Sequence, residues 1–98
     1  MPEDRYEVYW LPDARDSLKA LAQKAREAGQ SDTLKQALTE LNARLEREPL
    51  EVGELHRGKG PVEEHVAAHK VLGIDFGVDK EKKVVAVRKC WALPVSGL

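Results

Sequence analysis

The sequence predicts an α+β domain with an N-terminal strand, a helical hairpin, and then a mainly antiparallel sheet of three to four strands. Three observations support this fold class. A short run rich in aromatic and β-branched residues comes first, at residues 6–11. Two stripes of apolar residues with helical spacing follow it. Beyond Pro49 the apolar residues alternate instead, with the period of a strand.

The first half of the chain contains the opening strand and both helices. The strand covers residues 6–11 and ends at a proline, which the first turn of a helix tolerates. A first helix is predicted from about residue 13 to 28, because its alanines and leucines recur at intervals of three and four. Ser31 and Asp32 are N-cap candidates for a second helix, which ends before Pro49. The connection between the helices is short, so they form a hairpin.

The second half of the chain contains the other strands of the sheet. Residues 71–78 alternate between apolar side chains and small or acidic ones, and residues 83–91 supply a second β-rich run. A polar turn separates the two runs, so they make a hairpin. Residues 54–57 and 62–70 are further strand candidates on either side of a turn at 58–61. The first strand then joins this sheet at a distance in sequence.

The size and charge of the chain limit its function. Its 98 residues fit one domain spanning residues 1–98, and 42% hydrophobic with 34% charged residues is a globular mixture. Sixteen basic residues against seventeen acidic ones give a formal charge of -1, so the molecule has no overall field that attracts nucleic acid. Contacts with RNA or DNA therefore have to be local.

The cysteine count and the hydropathy pattern indicate the cellular compartment of the protein. Cys90 is the only cysteine, which excludes an internal disulfide and a multi-cysteine zinc site and fits a reducing compartment. The N-terminus is polar and acidic, and no apolar run approaches the ~20 residues that a membrane span needs. We therefore expect a cytoplasmic protein without a membrane partner.

Several stretches match the pattern of one known family. They are Pro12-Asp13-Ala14 after the opening strand, LTELNARLEREP at residues 38–49, GELHRG at 53–58, IDFGVD at 74–79 and VVAV at 84–87. In these stretches and in its element order, the chain resembles the RelE/ParE toxin superfamily over most of its length. The resemblance implies the toxin-like component of a bacterial toxin-antitoxin pair, held inactive by a cognate antitoxin whose disordered segment folds across the sheet and helices.

Proteins that resemble RelE cut messenger RNA in the ribosomal A site with basic residues on the concave face of the sheet. The resemblance thus implies a ribosome-dependent endoribonuclease without metal, with the ribosome and messenger RNA as partners. Arg57 falls where the family's Leu-Arg-Gly strand carries its arginine. In this interpretation Arg57 and Arg88 hold the phosphate, and His65 or His69 moves the proton, since an imidazole titrates near neutral pH. This catalytic interpretation expects His65 on the concave face with both arginines; the alternative is that His65 is a partly exposed strand histidine without a role in proton transfer.

A wider set of residues is predicted to bind nucleic acid. Arginine and lysine contact phosphate oxygens, and an aromatic ring stacks on bases. The candidates are Arg57, Lys59, Lys70, Lys89 and Trp91. The structural alternatives are that lysines at strand edges prevent aggregation, and that Trp91 begins an apolar segment, residues 91–98, which covers the sheet or binds a partner.

The two histidines of the predicted third strand do not form a metal site in this interpretation. In a strand, His65 and His69 point to the same face about 13 to 14 Å apart, from ~3.3 Å per residue, which is too far to share a metal. Only a helix brings such residues together as an i, i+4 pair, and the segment is predicted as a strand. We therefore expect neither metal nor cofactor.

Departures from the family pattern leave two alternatives open. Glu63 and Glu64 stand where the third strand of such toxins has lysines, and no obvious catalytic group follows the last strand. Relatives that resemble ParE share the fold without the nuclease residues and poison DNA gyrase instead, so gyrase is the second candidate target. The third interpretation is a noncatalytic protein-interaction module, in which the apolar segment 91–98 and one sheet face bind a partner or a second copy of the chain to give a homodimer.

Overall fold

The computed structural model describes residues 5–94, with the exception of the Lys59 side chain. The order of elements is strand, two helices and four strands, as the sequence predicts. The elements are β1 (Glu7–Trp10), α1 (Pro12–Glu27), α2 (Ser31–Arg47), β2 (Glu54–Lys59), β3 (Val62–His69), β4 (Leu72–Asp79) and β5 (Val84–Ala92), with a 3-10 helix at Pro49–Glu51. None of the described helices is long and apolar enough to cross a membrane. Residues 95–98 of the predicted C-terminal apolar segment lie outside the described part of the chain.

The five strands form one mixed sheet in the order β1-β5-β4-β3-β2. β1 runs parallel to β5, and the other neighbouring strands are antiparallel. The predicted fold class is therefore confirmed, with four strands after the helical hairpin. The first strand joins from a distance in sequence, because Glu7 aligns with Val84. This pairing places β1 beside β5, which are the first and last strands of the described residues.

The two faces of the sheet have different neighbours. The side chains of Leu72, Ile74, Phe76 and Val78 in β4 are fully buried against the helices. The residues between them point to the other face, which no helix covers within residues 5–94. We call it the open face. Alternation along the strands, together with the register shifts in β2 and β5, assigns to it Tyr9, Glu54, Arg57, Glu64, Val66, Ala68, Gly73, Asp75, Gly77, Ala86, Arg88, Lys89 and Trp91.

The two helices cover the sheet because each carries an apolar stripe at helical spacing. The buried stripes are Ala14, Leu21 and Ala25 in α1, and Leu34, Ala37, Leu41 and Leu45 in α2. Burying one leucine side chain contributes about 1.5–3 kcal/mol, so these contacts hold the hairpin on the sheet. Trp10 packs against the same core, and its indole N–H donates to Asn42 Oδ1 at 2.9 Å.

The N-cap of α2 differs from the prediction. Gln30, rather than Ser31 or Asp32, is the N-cap, and its side chain makes no capping hydrogen bond. The reason is Gly29, whose φ of 70° reverses the chain directly after α1, so that the second helix already begins at Ser31. Asp32 lies in the first turn instead, where its charge favours the helix dipole.

The hairpin loop between β2 and β3 is tighter than predicted. β2 extends to Lys59, so the turn predicted at 58–61 shortens to Gly60 and Pro61, with Gly60 at a φ of 63°. A positive φ at the first residue of a two-residue loop matches the twist of the strands. Lys70 takes the same place in the β3–β4 loop at a φ of 56°, in a region that residues other than glycine seldom adopt.

Candidate functional site on the open face

The centre of the open face holds a guanidinium between two carboxylates. Arg88 Nη2 of β5 lies 2.8 Å from Glu64 Oε1 of β3 and 2.5 Å from Asp75 Oδ1 of β4. Glu64 and Asp75 come from adjacent strands, and alternation turns both to the open face. We call these three residues the Arg88 cluster. It joins three strands across the middle of the sheet.

A β-bulge in β5 aims Arg88 at these carboxylates. Asp75 pairs with Lys89 and Phe76 pairs with Val87, so Arg88 is an extra residue without a partner of its own in β4. Bulges of this kind bend the strand and re-aim a side chain. As a result Arg88 and Lys89 both lie on the open face, although consecutive residues of a regular strand alternate.

Contacts within the Arg88 cluster shift the pKa values of Glu64 and Arg88 and so favour their charged forms. The hydrogen bond from Arg88 lowers the pKa of Glu64, and the positive charges of Arg88 and Arg57 lower it further. Hydrogen bonds to Asp75 and then to Glu64 raise the pKa of Arg88. At neutral pH Glu64 is therefore a carboxylate and Arg88 a cation. A phosphate that approached Arg88 Nη2 would have to displace one of the two carboxylates.

Arg57 and Lys89 are accessible cations of the open face. Arg57 aligns with Glu64 across the β2–β3 pair, and both cations are exposed. Neither forms an ion pair with another residue in the described part of the chain. Their placement suits the predicted phosphate contacts, which stay a prediction. Lys59 belongs to the same predicted set, but its side chain lies outside the described residues.

Trp91 lies over Gly73 on the open face. The two residues are aligned across β4 and β5, and a Cβ atom at Gly73 would overlap the indole ring. The missing side chain of the glycine is thus what allows the ring to lie on the sheet. Trp91 is 38% exposed, so part of the ring is accessible to a ligand. Stacking on a base stays a prediction that this geometry permits.

His65 lies on the other face of the sheet. Only 3% of it is exposed, and its ring stacks on Phe76 on the helix side, with ring centroids 5.3 Å apart. Its Nε2 lies 3.0 Å from Glu63 Oε1, and its Nδ1 has no hydrogen-bond partner within residues 5–94. The expectation that His65 lies on the concave face with the two arginines is therefore wrong, since alternation in β3 turns Glu64 to that face instead.

His69 and Lys70 pair with a helix rather than with the open face. Glu40 of α2 contacts both, its Oε1 lying 2.8 Å from His69 Nε2 and 3.0 Å from Lys70 Nζ. These contacts lower the pKa of Glu40, first through the hydrogen bond with His69 and then through that with Lys70. The strands therefore do not bring Lys70 to the face of Arg57, and His69 lies on the helix side as His65 does.

Within residues 5–94, no group of three or more His, Cys, Asp or Glu side chains is placed to hold a metal ion. His65 and His69 lie in one strand and point to one face, the arrangement in which the two rings are too far apart to share an ion. They contact glutamates of different elements instead.

Cys90 is a free thiol on the core side of β5. Burial raises its pKa to about 11. A thiol with so high a pKa stays protonated at neutral pH and is a poor nucleophile. Cys90 therefore contributes packing rather than chemistry.

Two residues of the Arg88 cluster, Glu64 and Asp75, were not among the site residues that sequence reasoning singled out. Each occupies an alternate position in its strand, which is a signal that it faces the same side as its neighbours two residues away. The bulge that brings Arg88 to them leaves no such signal, because the register of two strands depends on their pairing in three dimensions.

Comparisons with known proteins bear on the fold. No protein-family model and no curated protein sequence matches the chain. Solved structures that resemble it include an archaeal RelE–RelB complex from Pyrococcus horikoshii, with a TM-score of 0.66, 19% identity, and 89% of this chain and 93% of the other covered. They also include the toxin-antitoxin complex RelBE2 from Mycobacterium tuberculosis, with a TM-score of 0.66, 21% identity, and 91% and 92% covered. The chain therefore has the fold of the RelE-type toxins.

Proposed function

We propose that the chain is the toxin-like component of a toxin-antitoxin pair and acts on its target through the open face. The observation that carries this proposal is the fold, which covers 89% and 91% of the chain in the two comparisons. Both similar structures are complexes with a partner, and one is described as a toxin-antitoxin complex. A cognate antitoxin is therefore part of the proposal. The free, buried thiol of Cys90 suits a reducing cytoplasm.

The open face offers what the binding of a single nucleic-acid strand needs. Arg57 and Lys89 supply exposed cations for phosphates, and Trp91 supplies a ring on which a base stacks. Small residues, among them Gly77 and Ala86, form the floor nearby and let a flat ligand approach the sheet. Messenger RNA on the ribosome is the target that the resemblance to RelE implies.

One observation favours cleavage of that RNA as well as binding. Glu64 is aligned with Arg57 and lies 2.8 Å from Arg88 Nη2, so a carboxylate stands between two cations. The carboxylate takes the proton of a 2′-hydroxyl, whose oxygen bonds to the adjacent phosphorus while the bond from phosphorus to the 5′-oxygen breaks. Arg57, which has no ion pair within residues 5–94, stabilises the charge on the phosphate oxygens. Water protonates the leaving 5′-oxygen, and the hydroxide that remains takes the proton back from Glu64. Glu64 thus takes the role predicted for His65 and His69, which lie on the other face.

Growth after tightly controlled induction in a bacterial host tests the proposal. The variant Arg57→Glu with Lys89→Glu reverses two exposed cations of the open face. The matched control, Lys24→Glu with Lys82→Glu, makes the same change in charge at exposed positions in α1 and in the β4–β5 turn. We expect the wild-type chain and the control to arrest growth. The open-face variant should lose at least about tenfold in potency, because repulsion replaces two phosphate contacts.

The same cultures separate the alternative targets. Mapping the 5′ ends of messenger RNA detects cleavage, and Glu64→Gln removes the base while preserving the shape of the side chain. New ends that disappear with Glu64→Gln support the cleavage role. Arrest without new ends points to another target, such as DNA gyrase. Normal growth with abundant folded protein contradicts the toxin-like role and favours a noncatalytic interaction module.

A further inference from the structure

A groove of about 600 Å³ runs between α1 and α2 and is lined, among the described residues, by these two helices alone. We call it the hairpin groove. Because the helices cover the sheet face opposite the open face, this groove lies on the other side of the molecule from Trp91 and the Arg88 cluster. An apolar depression of this kind receives apolar side chains of a partner. Its apolar floor consists of Leu18, Ala22, Leu34 and Leu38.

The rim of the hairpin groove is basic. Arg15, Lys19 and Arg26 line it from α1, and Lys35 lines it from α2. None of these four cations forms an ion pair within residues 5–94, and Arg26 donates only to Gln23 Oε1, at 3.0 Å. The carboxylates of the same helices lie outside the described lining; they are Asp13, Asp16, Glu27, Asp32, Glu40 and Glu46. The rim is thus locally positive in a chain whose formal charge is -1.

The length of the rim fits the side of a partner helix. From Arg15 to Arg26 it runs about 16 Å along α1, at ~1.5 Å per residue, which is about three helical turns. An amphipathic helix lays apolar side chains at i, i+3, i+4 and i+7 into such a groove. Carboxylates on the flanks of that helix meet the cations of the rim, which speeds association and selects the partner. We propose that the hairpin groove binds an acidic amphipathic helix of a protein partner.

The identity of this partner as the antitoxin rests on the proposed toxin-like function. Since the hairpin groove and the open face lie on opposite sides of the molecule, the acidic helix occupies the groove without touching Arg57 or Trp91. The groove is thus an anchoring site, and blocking the open face requires a second segment of the partner. The acidic helix alone binds the chain and leaves the open face accessible.

Binding of synthetic peptides to the whole chain tests the hairpin groove. One fluorescent peptide of ~15 residues carries leucines at helical spacing and glutamates on both flanks, and a second peptide has lysine in place of each glutamate. The rim variant, Lys19→Glu with Lys35→Glu, is compared with Lys24→Glu and Lys82→Glu, an equal change in charge outside the groove. We expect the acidic peptide to bind the wild-type chain and this control alike, and to bind the rim variant at least about tenfold more weakly.

Three results would overturn the proposal: no binding of the acidic peptide, equal binding of the lysine peptide, or equal binding by the two double variants. Amide chemical shifts report where the peptide binds on the chain, and we expect them to change in α1 and α2 but not in β4 and β5. Growth arrest is measured separately. A chain that arrests growth without binding the acidic peptide therefore contradicts only the proposal that the hairpin groove binds an acidic helix. A chain that binds the peptide but does not arrest growth contradicts the toxin-like role alone.

Discussion

The open face and the hairpin groove both present cations, but the surroundings of those cations differ. Arg88 lies within hydrogen-bond distance of Glu64 and Asp75, whereas the four rim cations have no carboxylate partner among the described residues. Nearby carboxylates cancel much of the field of a guanidinium, so a paired arginine attracts a further anion only weakly. The pairing of basic residues, rather than their number, therefore indicates which surface of a nearly neutral chain attracts an acidic partner.

The two surfaces also differ in shape. On the open face, Trp91 lies over Gly73, and its neighbours in the centre of the sheet are small. In the hairpin groove, Leu18 and Leu38 form part of a depression between two helices. A face of this first kind receives an extended strand or a base, and a depression between helices receives the ridge of a third helix.

Gly73→Ala is expected to have the largest effect of the variants considered, because its Cβ would overlap the indole of Trp91. Forcing the ring off the sheet costs about 1–3 kcal/mol of unfolding free energy, as overpacking usually does. Gly77→Ala is the matched control on the same strand and face, where the nearest atom, the carbonyl oxygen of Glu63, is 3.9 Å from the new Cβ. Urea unfolding followed by tryptophan fluorescence measures both. Equal stability of the two variants would contradict the dependence of Trp91 on a glycine beneath it.

Arg88→Met is expected to have a smaller effect that depends on pH. It loses the partly exposed ion pair with Asp75, which contributes up to about 1 kcal/mol at neutral pH. Pairing with Arg88 also lowers the folded pKa of Glu64, so this carboxylate stabilises the fold above its ordinary pKa of 4.5. That contribution is lost as the pH falls through the folded pKa of Glu64.

Urea unfolding across a pH series measures this effect. The wild-type chain and Arg88→Met are expected to differ most near neutral pH and to converge below pH 4.5. Lys89→Met, which removes the neighbouring cation that has no ion pair within residues 5–94, is the control and should show no convergence. If the difference in unfolding free energy between the wild-type chain and Arg88→Met stays constant with pH, Arg88 does not lower the pKa of Glu64.

Lys19→Ala with Lys35→Ala is expected to have the smallest effect, since neither side chain has a carboxylate partner within residues 5–94. The free energy of unfolding should stay within about 0.5 kcal/mol of the wild-type value, as for most surface substitutions. Urea unfolding at low and high salt measures it, and any gain from relieved repulsion should vanish at high salt because salt screens the charges. A clear loss of stability would show that Lys19 or Lys35 does interact favourably with a carboxylate. The rim cations would then not differ from Arg88 in their pairing.

The order of the elements could be predicted because the periods of helices and strands are local. The apolar stripes of α1 and α2 and the alternation in β4 are visible in the sequence. The faces of β3 could not be predicted, because Val66, Ala67 and Ala68 are consecutive apolar residues without alternation. His65 and Glu64 are therefore assigned to their faces only by the pairing of β3 with β4.

The basic rim of the hairpin groove does leave a signal in the sequence, although a weak one. Arg15, Lys19 and Arg26 recur at intervals of four and seven, which places them on one side of α1. Many solvated helix faces carry charges at this spacing, so the pattern alone does not indicate a site. Only the packing of α2 beside α1 brings Lys35 to the same rim and leaves an apolar floor between them.

The parallel pairing of β1 with β5 has a consequence for the synthesis of the chain. Glu7 aligns with Val84, so the first strand cannot enter the sheet until nearly all the described residues have been made. Contacts so distant in sequence form late, because the loop between them must close first. The open face is therefore incomplete until β5 has been made and has paired with β1, and shorter nascent chains lack this edge of the sheet.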